Sequence, residues 1–251
     1  MLIIENLTKT YGAGEAAVTA LDNARMDVRD GEFAVVVGPS GCGKSTLLNI
    51  VAGLEHQTSG RVELDGSPIT APGAERGMVF QSYTLFPWLT VRKNVEFGLR
   101  IKGLPPTERA EIARRYVDLV GLSEFENALP KALSGGMKQR VAIARVLANK
   151  PRMLLMDEPF GALDAQTRLL LQELLLTVWR KERATVLFIT HDIDEAILLG
   201  DRVFVMSKRP GRIVEEIPVD LERPRDHTLT VSPRFAALKK RVMDRLFLEL
   251  T

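Results

Sequence analysis

The first third of the chain carries short runs in which apolar and polar residues alternate, a pattern typical of strands with one buried face. Such runs cover residues 2–7, 18–28 and 59–66, and clusters of turn-forming residues separate them. We expect these strands to pair antiparallel. A different run, Phe33–Val37, is apolar at every position, as in a strand buried on both faces, and a helical pattern follows it from about Lys44 to Leu54.

Helical periodicity dominates the middle of the chain, from Ser82 to about Lys150. One helix there has an apolar face at positions 112, 116, 117 and 120, and we expect Thr107 to be its N-cap. Strands and helices then alternate, which predicts an α/β fold built on a parallel sheet. The expected strands are 77–81, 152–158, 185–191, 202–206 and 211–216, and the expected helices are 165–181, 194–199 and a last one capped by Ser232 and begun by Pro233.

Composition narrows the class of protein. The chain has 251 residues, of which 45% are hydrophobic and 26% charged, as in an ordinary globular protein. Its 34 basic and 32 acidic residues nearly balance, which argues against nucleic acid held by bulk electrostatics. The sequence contains no apolar run long enough to span a membrane and no signal peptide, and its one cysteine fits a reducing compartment. We expect a cytoplasmic protein that reaches a membrane only through a partner.

A glycine-rich segment between the apolar strand and the following helix has the pattern of a phosphate-binding loop. Its glycines let the backbone curl around a phosphate chain, and the helix start adds a positive dipole end. Lys44 is expected on the β- and γ-phosphates and Ser45 on Mg²⁺. The alternative is a strand-to-helix turn that binds nothing, with Cys42 as a small filler. The nine predicted binding residues are Gly38, Pro39, Ser40, Gly41, Cys42, Gly43, Lys44, Ser45 and Thr46.

Two carboxylates, Asp157 and Glu158, end a nearly continuous apolar run. In a phosphate-loop protein, a strand of this kind delivers an aspartate to Mg²⁺ at the edge of the sheet that holds the loop. Glu158 would then orient or deprotonate the attacking water. Taken alone, the two acids are equally consistent with a simple strand end.

A second candidate anion site is Ser134-Gly135-Gly136, at the start of a predicted helix. The alternative is an ordinary N-cap whose glycines permit tight packing. The first loop alone can cradle one triphosphate. One resolution is therefore that the second site closes over a nucleotide held by another copy of the protein.

These motifs, in this order, resemble those of the ATP-hydrolysing subunits of ABC transporters, over nearly the whole chain. The resemblance assigns Walker A to 38–46, the signature to 133–137 and Walker B to 153–158. It implies a P-loop NTPase fold with a RecA-like parallel-sheet core, an N-terminal antiparallel β subdomain and an α-helical subdomain inserted at about 82–150. The ATPase domain would span 1–230, and 231–251 would form a helical tail.

The resemblance also implies roles for individual residues. Tyr11 would stack on adenine, and Gln81 would contact Mg²⁺ and the attacking water. Glu158 would be the catalytic base, His191 would contact the γ-phosphate, and Asp164 would lie in a loop that crosses a dimer interface. The expected catalytic set is Lys44, Gln81, Glu158 and His191, the expected metal set is Ser45, Gln81 and Asp157, and the expected cofactors are ATP and Mg²⁺.

Partners are implied in the same way. The aromatic stretch Tyr83–Val91 suits either packing or docking, and the resemblance favours docking of two membrane subunits. A second copy or close paralogue would complete the ATP sites, and a solute-binding protein would act indirectly. The protein would sit peripherally on the cytoplasmic face of the inner membrane.

The elements 133–137, 160–164 and 206–213 resemble the importers of nitrate, sulfonates and taurine, and Lys208-Arg209-Pro210-Gly211-Arg212 is the most telling. One alternative is an ABC-type ATPase in DNA repair or on ribosomes, although such proteins usually carry tandem ATPase domains or a long coiled-coil insertion. Another is a non-catalytic regulator, which the presence of Glu158 and His191 disfavours.

Overall fold

The computed structural model describes residues 1–250, apart from the side chains of Glu15 and Leu250. The chain divides into two compact units, which we call the core unit (1–73, 155–158 and 183–251) and the helical unit (74–154 and 159–182). The strands are β1 (Leu2–Tyr11), β2 (Val18–Val28), β3 (Phe33–Val37), β4 (Ser59–Leu64), β5 (Ser67–Pro68), β6 (Arg76–Val79), β7 (Met153–Asp157), β8 (Thr185–Ile189), β9 (Arg202–Met206) and β10 (Ile213–Pro218). The α-helices are α1 (Lys44–Ala52), α2 (Val91–Ile101), α3 (Pro106–Leu119), α4 (Gly135–Leu147), α5 (Ala165–Glu182), α6 (Ile193–Leu199) and α7 (Pro233–Leu250).

The N-terminal strands of the core unit form an antiparallel sheet in the order β2-β1-β4-β5, as the alternating pattern predicts. Strand β1 runs further than the sequence indicated. Residues 9–11 were expected in a turn, but Tyr11 pairs with Val18 at the end of the ladder. The chain turns only at Gly12, whose φ is +76°. The hydrogen-bonding partners on β2 thus override the local turn signal.

A second sheet of the core unit has the order β10-β9-β3-β8-β7, where β7 contributes its last residues to this unit. Strand β3 pairs parallel with β8 on one side and β9 on the other. All five residues of β3 are fully buried, which confirms the interpretation of its continuous apolar run. Strand β10 closes the edge antiparallel to β9.

A buried cation ties this sheet to the N-terminal part of the chain. Arg202, on β9, forms ion pairs with Glu32 before β3, with Asp27 on β2 at 3.0 Å and with Glu216 on β10 at 2.8 Å. The side chains of Arg202 and Glu32 are only 6% and 8% exposed. Hydrogen bonds from Arg202 to these acids, those to Glu32 above all, raise its pKa.

Helix α7 begins as predicted. Ser232 accepts a hydrogen bond from the Phe235 N–H at 3.2 Å, and Pro233 is the first helical residue. Phe235 and Val242 of this helix are buried. The tail expected at 231–251 includes Thr251, which lies outside the described residues.

In the helical unit, β6 and the first residues of β7 are neighbours, and the Met153 N–H donates to the Glu75 carbonyl at 3.0 Å. The prediction of Thr107 as the N-cap of α3 is wrong. Pro105 is the cap and Pro106 the first helical residue, because proline's fixed φ suits that position and its missing N–H costs nothing there. Tyr116 and Val117 on the predicted apolar face are buried.

Across residues 1–250, no helix is both long enough and apolar enough to cross a membrane.

Candidate nucleotide-binding site

The phosphate loop lies between β3 and α1 in the core unit, and its shape depends on glycine. Gly41 and Gly43 have φ values of +74° and +112°. A Cβ on Gly43 would lie 2.8 Å from the Ala20 carbonyl oxygen. Only glycine fits at this close contact. Helix α1 begins at the next residue, Lys44, and the first N–H groups of the helix point toward the loop.

The loop curls around the ammonium group of Lys44. Its Nζ donates to the carbonyls of Gly38, at 2.8 Å, and Pro39, at 3.0 Å, and the side chain is almost fully buried. The cationic end of Lys44 is therefore held at the loop by the loop's own backbone.

Beside the loop, the Ser45 hydroxyl donates to Asp157 Oδ1 at 3.2 Å. Asp157 is the last residue of β7, and burial raises its pKa. A hydroxyl and a carboxylate of this kind are oxygen ligands that suit Mg²⁺, which usually completes its shell with water and substrate phosphates. Within residues 1–250, no group of three or more His, Cys, Asp and Glu side chains is placed to hold a metal by itself.

Glu158 follows β7 in a left-handed backbone conformation, with φ of +40°. Its N–H donates to the carbonyl of Ile189, the last residue of β8, at 2.9 Å. Its Oε2 lies 2.9 Å from Nδ1 of His191, two residues further along the chain from that strand end. A left-handed conformation is unfavourable for a residue other than glycine. Such residues are common in active sites, where the surrounding contacts hold the backbone in this conformation.

A cavity of about 320 Å³ opens over the loop. Tyr11 forms part of its wall, is 40% exposed and stacks beneath the Lys9 ammonium, whose Nζ is 4.8 Å from the ring centre. The residues that line the cavity are Tyr11, Val18, Ala20, Ser40, Gly41, Gly43, Lys44, Ser45, Thr46, Glu158 and Arg209.

Other predicted residues of the core unit do not line this cavity. Gly38, Pro39, Asp157 and His191 stand outside its wall. Cys42 is 1% exposed, and burial raises the pKa of its thiol. A Cβ on Gly38 would meet the Cys42 sulfur at 2.9 Å, so this thiol fills space under the loop.

Arg209 was not among the predicted site residues. The Lys208–Arg212 element stands out in the sequence only as a family marker, and its placement depends on long-range contacts. Val18 and Ala20, which also line the cavity, carry no chemical signal in the sequence.

The remaining predicted site residues belong to the helical unit. Gln81 is exposed just after β6. Ser134 caps α4 by accepting from the Met137 N–H at 3.3 Å, and a Cβ on Gly136 would lie 2.4 Å from Thr167 Cγ2, so the capping and packing alternative accounts for these contacts. Asp164 accepts from the Thr167 N–H at 3.0 Å, and the hydrogen bonds from Thr167 lower its pKa.

A second cavity of about 480 Å³ lies wholly within the helical unit. Its apolar wall includes Phe86, Phe97 and Ile101, and the Phe86 and Phe97 rings are 4.3 Å apart. Ile101 is 72% exposed. Trp88 is 73% exposed and its ring lies 5.7 Å from that of Phe86, so the aromatic stretch places an exposed ring beside the cavity wall.

A glycine-rich loop between a parallel strand and a helix, with a strand-end aspartate on the serine that follows its lysine, defines a phosphate-loop nucleotide-binding protein. The model of the ABC transporter family matches residues 21–161. The chain is 50% identical to the nitrate import ATP-binding protein NrtD of Synechocystis, covering 92% of this chain and 88% of that protein. It is 46% identical to the aliphatic sulfonates import ATP-binding protein SsuB of Bacillus subtilis, covering 90% of this chain and 86% of that protein.

Among solved structures, an ATP-binding cassette in a dimeric post-hydrolysis state bound to ADP and Pi superposes with a TM-score of 0.78. It is 36% identical and covers 88% of this chain and all of that one. The chain therefore belongs to the ABC transporter family, and it is an ATP-hydrolysing subunit. The predicted family, fold class and enzyme activity are confirmed.

Proposed function

We propose that this ATPase powers an importer of a small oxyanion, such as nitrate or an organic sulfonate, from the cytoplasmic face of the inner membrane. The observation that carries the proposal is the Glu158–His191 pair beside a phosphate loop, in a chain half identical to a nitrate import ATP-binding protein. The sulfonate relative supports the same group of solutes.

In this proposal, the chain's own residues divide the work on ATP. Tyr11 stacks on the adenine, and Lys44 binds the β- and γ-phosphates together with backbone N–H groups of the phosphate loop, to which Pro39 contributes none. Glu158 orients the attacking water and accepts its proton, while His191 holds the Glu158 carboxylate and contacts the γ-phosphate. The 2.9 Å separation of Glu158 Oε2 and His191 Nδ1 supports a joint role.

Ser45, Asp157 and Gln81 would hold Mg²⁺, and the hydrogen bond between the first two supports their share of that site. When bound, the ion would neutralise charge on the β- and γ-phosphates. Burial raises the pKa of the Asp157 carboxyl, and a cation bound beside it would oppose that shift by stabilising the carboxylate.

A second copy, or a close paralogue, would complete each site with Ser134-Gly135-Gly136 and with Asp164. The dimeric, product-bound relative supports this arrangement. Ser134 and the start of α4 offer a hydroxyl and a helix N-terminus of the kind that binds phosphate.

The aromatic cavity of the helical unit would receive a helix of an integral membrane subunit, two of which would form the transport path. The rings of Phe86, Phe97 and Trp88 together present more apolar surface than isolated exposed residues do. A solute-binding protein would deliver the solute from outside and would not touch this chain. The inserted subdomain at about 82–150 and the tail at 231–251 stay proposals of the same kind.

Uptake in the source organism tests the proposed solute. After deletion of the gene, uptake of isotopically labelled nitrate and of a labelled alkanesulfonate is measured with wild-type or Glu158→Gln protein restored. We expect uptake of one of the two anions to fall on deletion and to recover only with the wild type. Unchanged uptake of both would contradict the proposed solutes.

Affinity capture from solubilised membranes tests the proposed partners. We expect an integral membrane protein to be recovered with the wild-type chain and lost with Phe86→Ser, while Phe125→Ser, a matched change at an exposed ring outside the cavity, retains it. Recovery of ribosomes or nucleic acid instead would favour a role outside transport.

A further inference from the structure

We propose that Arg209 is a nucleotide-binding residue that contacts the phosphate chain of a nucleotide bound in the cavity over the phosphate loop. Arg209 lines the same cavity as Tyr11, Lys44 and Glu158, although it is distant in the sequence from all three. The inference rests on the ATP site described above and adds a residue to it.

The position of Arg209 is fixed by the loop that carries it, residues 207–212. The Ser207 N–H donates to the Arg212 carbonyl at 2.9 Å, which closes the loop at its base. Inside the loop, Ser207 Oγ accepts from the Arg212 N–H at 2.9 Å and lies 3.0 Å from the Pro210 carbonyl oxygen. A loop closed in this way holds its tip in one place.

The same loop is fastened to the elements that form the cavity. The Gly211 N–H donates to the Ala20 carbonyl at 2.9 Å, and the Asp22 N–H donates to the Gly211 carbonyl at 3.0 Å. Arg212 adds an ion pair with Asp22. These bonds join residues 207–212 to β2, whose residues Val18 and Ala20 line the cavity.

The loop also touches the phosphate loop directly. A Cβ on Gly211 would lie 2.2 Å from the carbonyl oxygen of Cys42, so only glycine permits this contact. Arg209 is therefore carried by a segment packed against the backbone that would surround the phosphates. This contact explains why position 211 of the element is glycine.

The charges in the cavity leave Arg209 available for an anion. The ammonium of Lys44 is already bonded to two carbonyls of its loop, and Glu158 lies beside His191. Within the described part of the chain, Arg209 has no ion-pair or hydrogen-bonding partner, and it is exposed. A guanidinium presents paired N–H donors that match phosphate oxygens, which suits it to a triphosphate or diphosphate.

Calorimetric titration of the whole protein with MgADP tests the proposal. We expect Arg209→Ala and Arg209→Gln to raise Kd about tenfold, the scale of one charge-assisted hydrogen bond. Arg209→Lys keeps the charge but loses the paired N–H donors of the guanidinium, and should weaken binding by about threefold. The matched control is Lys208→Ala, because Lys208 is an equally exposed cation in the same loop that does not line the cavity.

Two further measurements distinguish a direct contact between Arg209 and the nucleotide from effects on the catalytic step. The difference between wild type and Arg209→Ala should shrink as salt rises from about 50 mM to about 500 mM, since an exposed ion contact is screened. In steady-state hydrolysis, Arg209→Ala should raise KM for ATP with little change in kcat. If Arg209→Ala lowers the unfolding temperature without nucleotide, the affinity of Arg209→Gln, which keeps a larger and polar side chain, decides whether Arg209 contacts the nucleotide.

Equal MgADP affinity of wild type and both neutral variants would overturn the proposal. An equal loss in Lys208→Ala would also overturn it, by showing a diffuse effect of charge. Either result would leave the ATPase assignment intact, provided that the wild type binds MgADP and hydrolyses ATP. Failure of the wild type to do so would instead count against the site itself.

Discussion

Glu158 Oε2 and His191 Nδ1 lie 2.9 Å apart, and each residue follows the end of one of two neighbouring strands, β7 and β8. The Glu158 N–H is bonded to the carbonyl of Ile189, so the backbone holds the two strand ends together as well. Glu158 also lines the cavity over the phosphate loop. The pair therefore places His191, at the end of β8, in contact with a residue of the cavity wall.

Replacing Glu158 with glutamine keeps the size and one hydrogen-bonding oxygen but removes the basic carboxylate. We expect the rate of ATP hydrolysis to fall by about 100- to 1000-fold, with ATP affinity changed only a few-fold. Phosphate release and ATP binding are measured on the same samples, and gel filtration with ATP should show a persistent dimer.

Glu222→Gln serves as the control because Glu222 is exposed and lines none of the cavities described above. It should hydrolyse ATP at the wild-type rate. Wild-type turnover in Glu158→Gln would remove Glu158 from the role of base.

Lys44→Ala acts on binding rather than on the chemical step alone. The variant loses the charge that the loop holds by its Gly38 and Pro39 carbonyls, so affinity for ATP should fall at least about tenfold. Equilibrium binding of a fluorescent ATP analogue measures this loss, and Lys131→Ala, at an exposed lysine, is the control. Normal affinity in Lys44→Ala would contradict the phosphate-loop interpretation.

The sequence predicts those parts of the fold that depend on neighbouring residues. The Phe33–Val37 run, the glycines after it and the apolar helix pattern are consecutive, so the strand, loop and helix follow from local physics. The antiparallel N-terminal strands follow from alternation for the same reason. Local signals also fail where they compete, as when Pro105 and Pro106 displace Thr107 from the cap of α3.

Long-range contacts explain what the sequence could not reveal. Arg209 reaches the nucleotide cavity only because Gly211 packs on Cys42 and pairs with Ala20, residues more than 160 positions away. Arg225 donates five hydrogen bonds to the carbonyls of Val219, Leu221, Ile197 and Gly200, and burial lowers its pKa to about 10. The placement of Arg225 leaves no periodic or motif signal along the chain, and the Lys208–Arg212 element marks a family without indicating that Arg209 lines the cavity.

Asp157→Asn should stabilise the folded protein and at the same time reduce ATP hydrolysis. Burial raises the pKa of Asp157 above its unfolded value of 3.8, so the unfolded chain loses this proton first as pH rises. Stability of the nucleotide-free wild type therefore falls as pH increases through the interval between the unfolded and folded pKa values, and the full cost is present above the folded pKa. The asparagine variant has no such cost.

We expect Asp157→Asn, without nucleotide or metal, to unfold at a higher temperature than the wild type at pH 7. The difference between the two should disappear well below pH 3.8, where Asp157 of the wild type is protonated in both the folded and the unfolded chain. Mg²⁺-dependent hydrolysis should fall by about 100-fold or more, since a proposed metal ligand is lost. Asp220→Asn, at an exposed ion pair, should change neither property. A lower unfolding temperature for Asp157→Asn at pH 7 would contradict the burial argument.

Arg202→Met tests the buried ion pairs that hold β9 to the segment before β3. Methionine fills most of the space but leaves the Glu32 carboxylate, whose side chain is 8% exposed, without its main partner. Breaking a buried pair from one side costs about 3–5 kcal/mol, so the free energy of unfolding in urea should fall by that amount. The Arg29 N–H, which donates to Glu32 Oε2 at 2.7 Å, limits the loss.

Arg61→Met is the matched control, because Arg61 pairs with Glu5 at 3.3 Å but is 53% exposed, and pairs of that kind contribute about 1 kcal/mol or less. Adding Glu32→Gln to Arg202→Met removes the stranded charge and should restore part of the lost stability, which a simple packing defect would not do. If Arg202→Met costs no more than Arg61→Met, the ion-pair network does not stabilise the core unit.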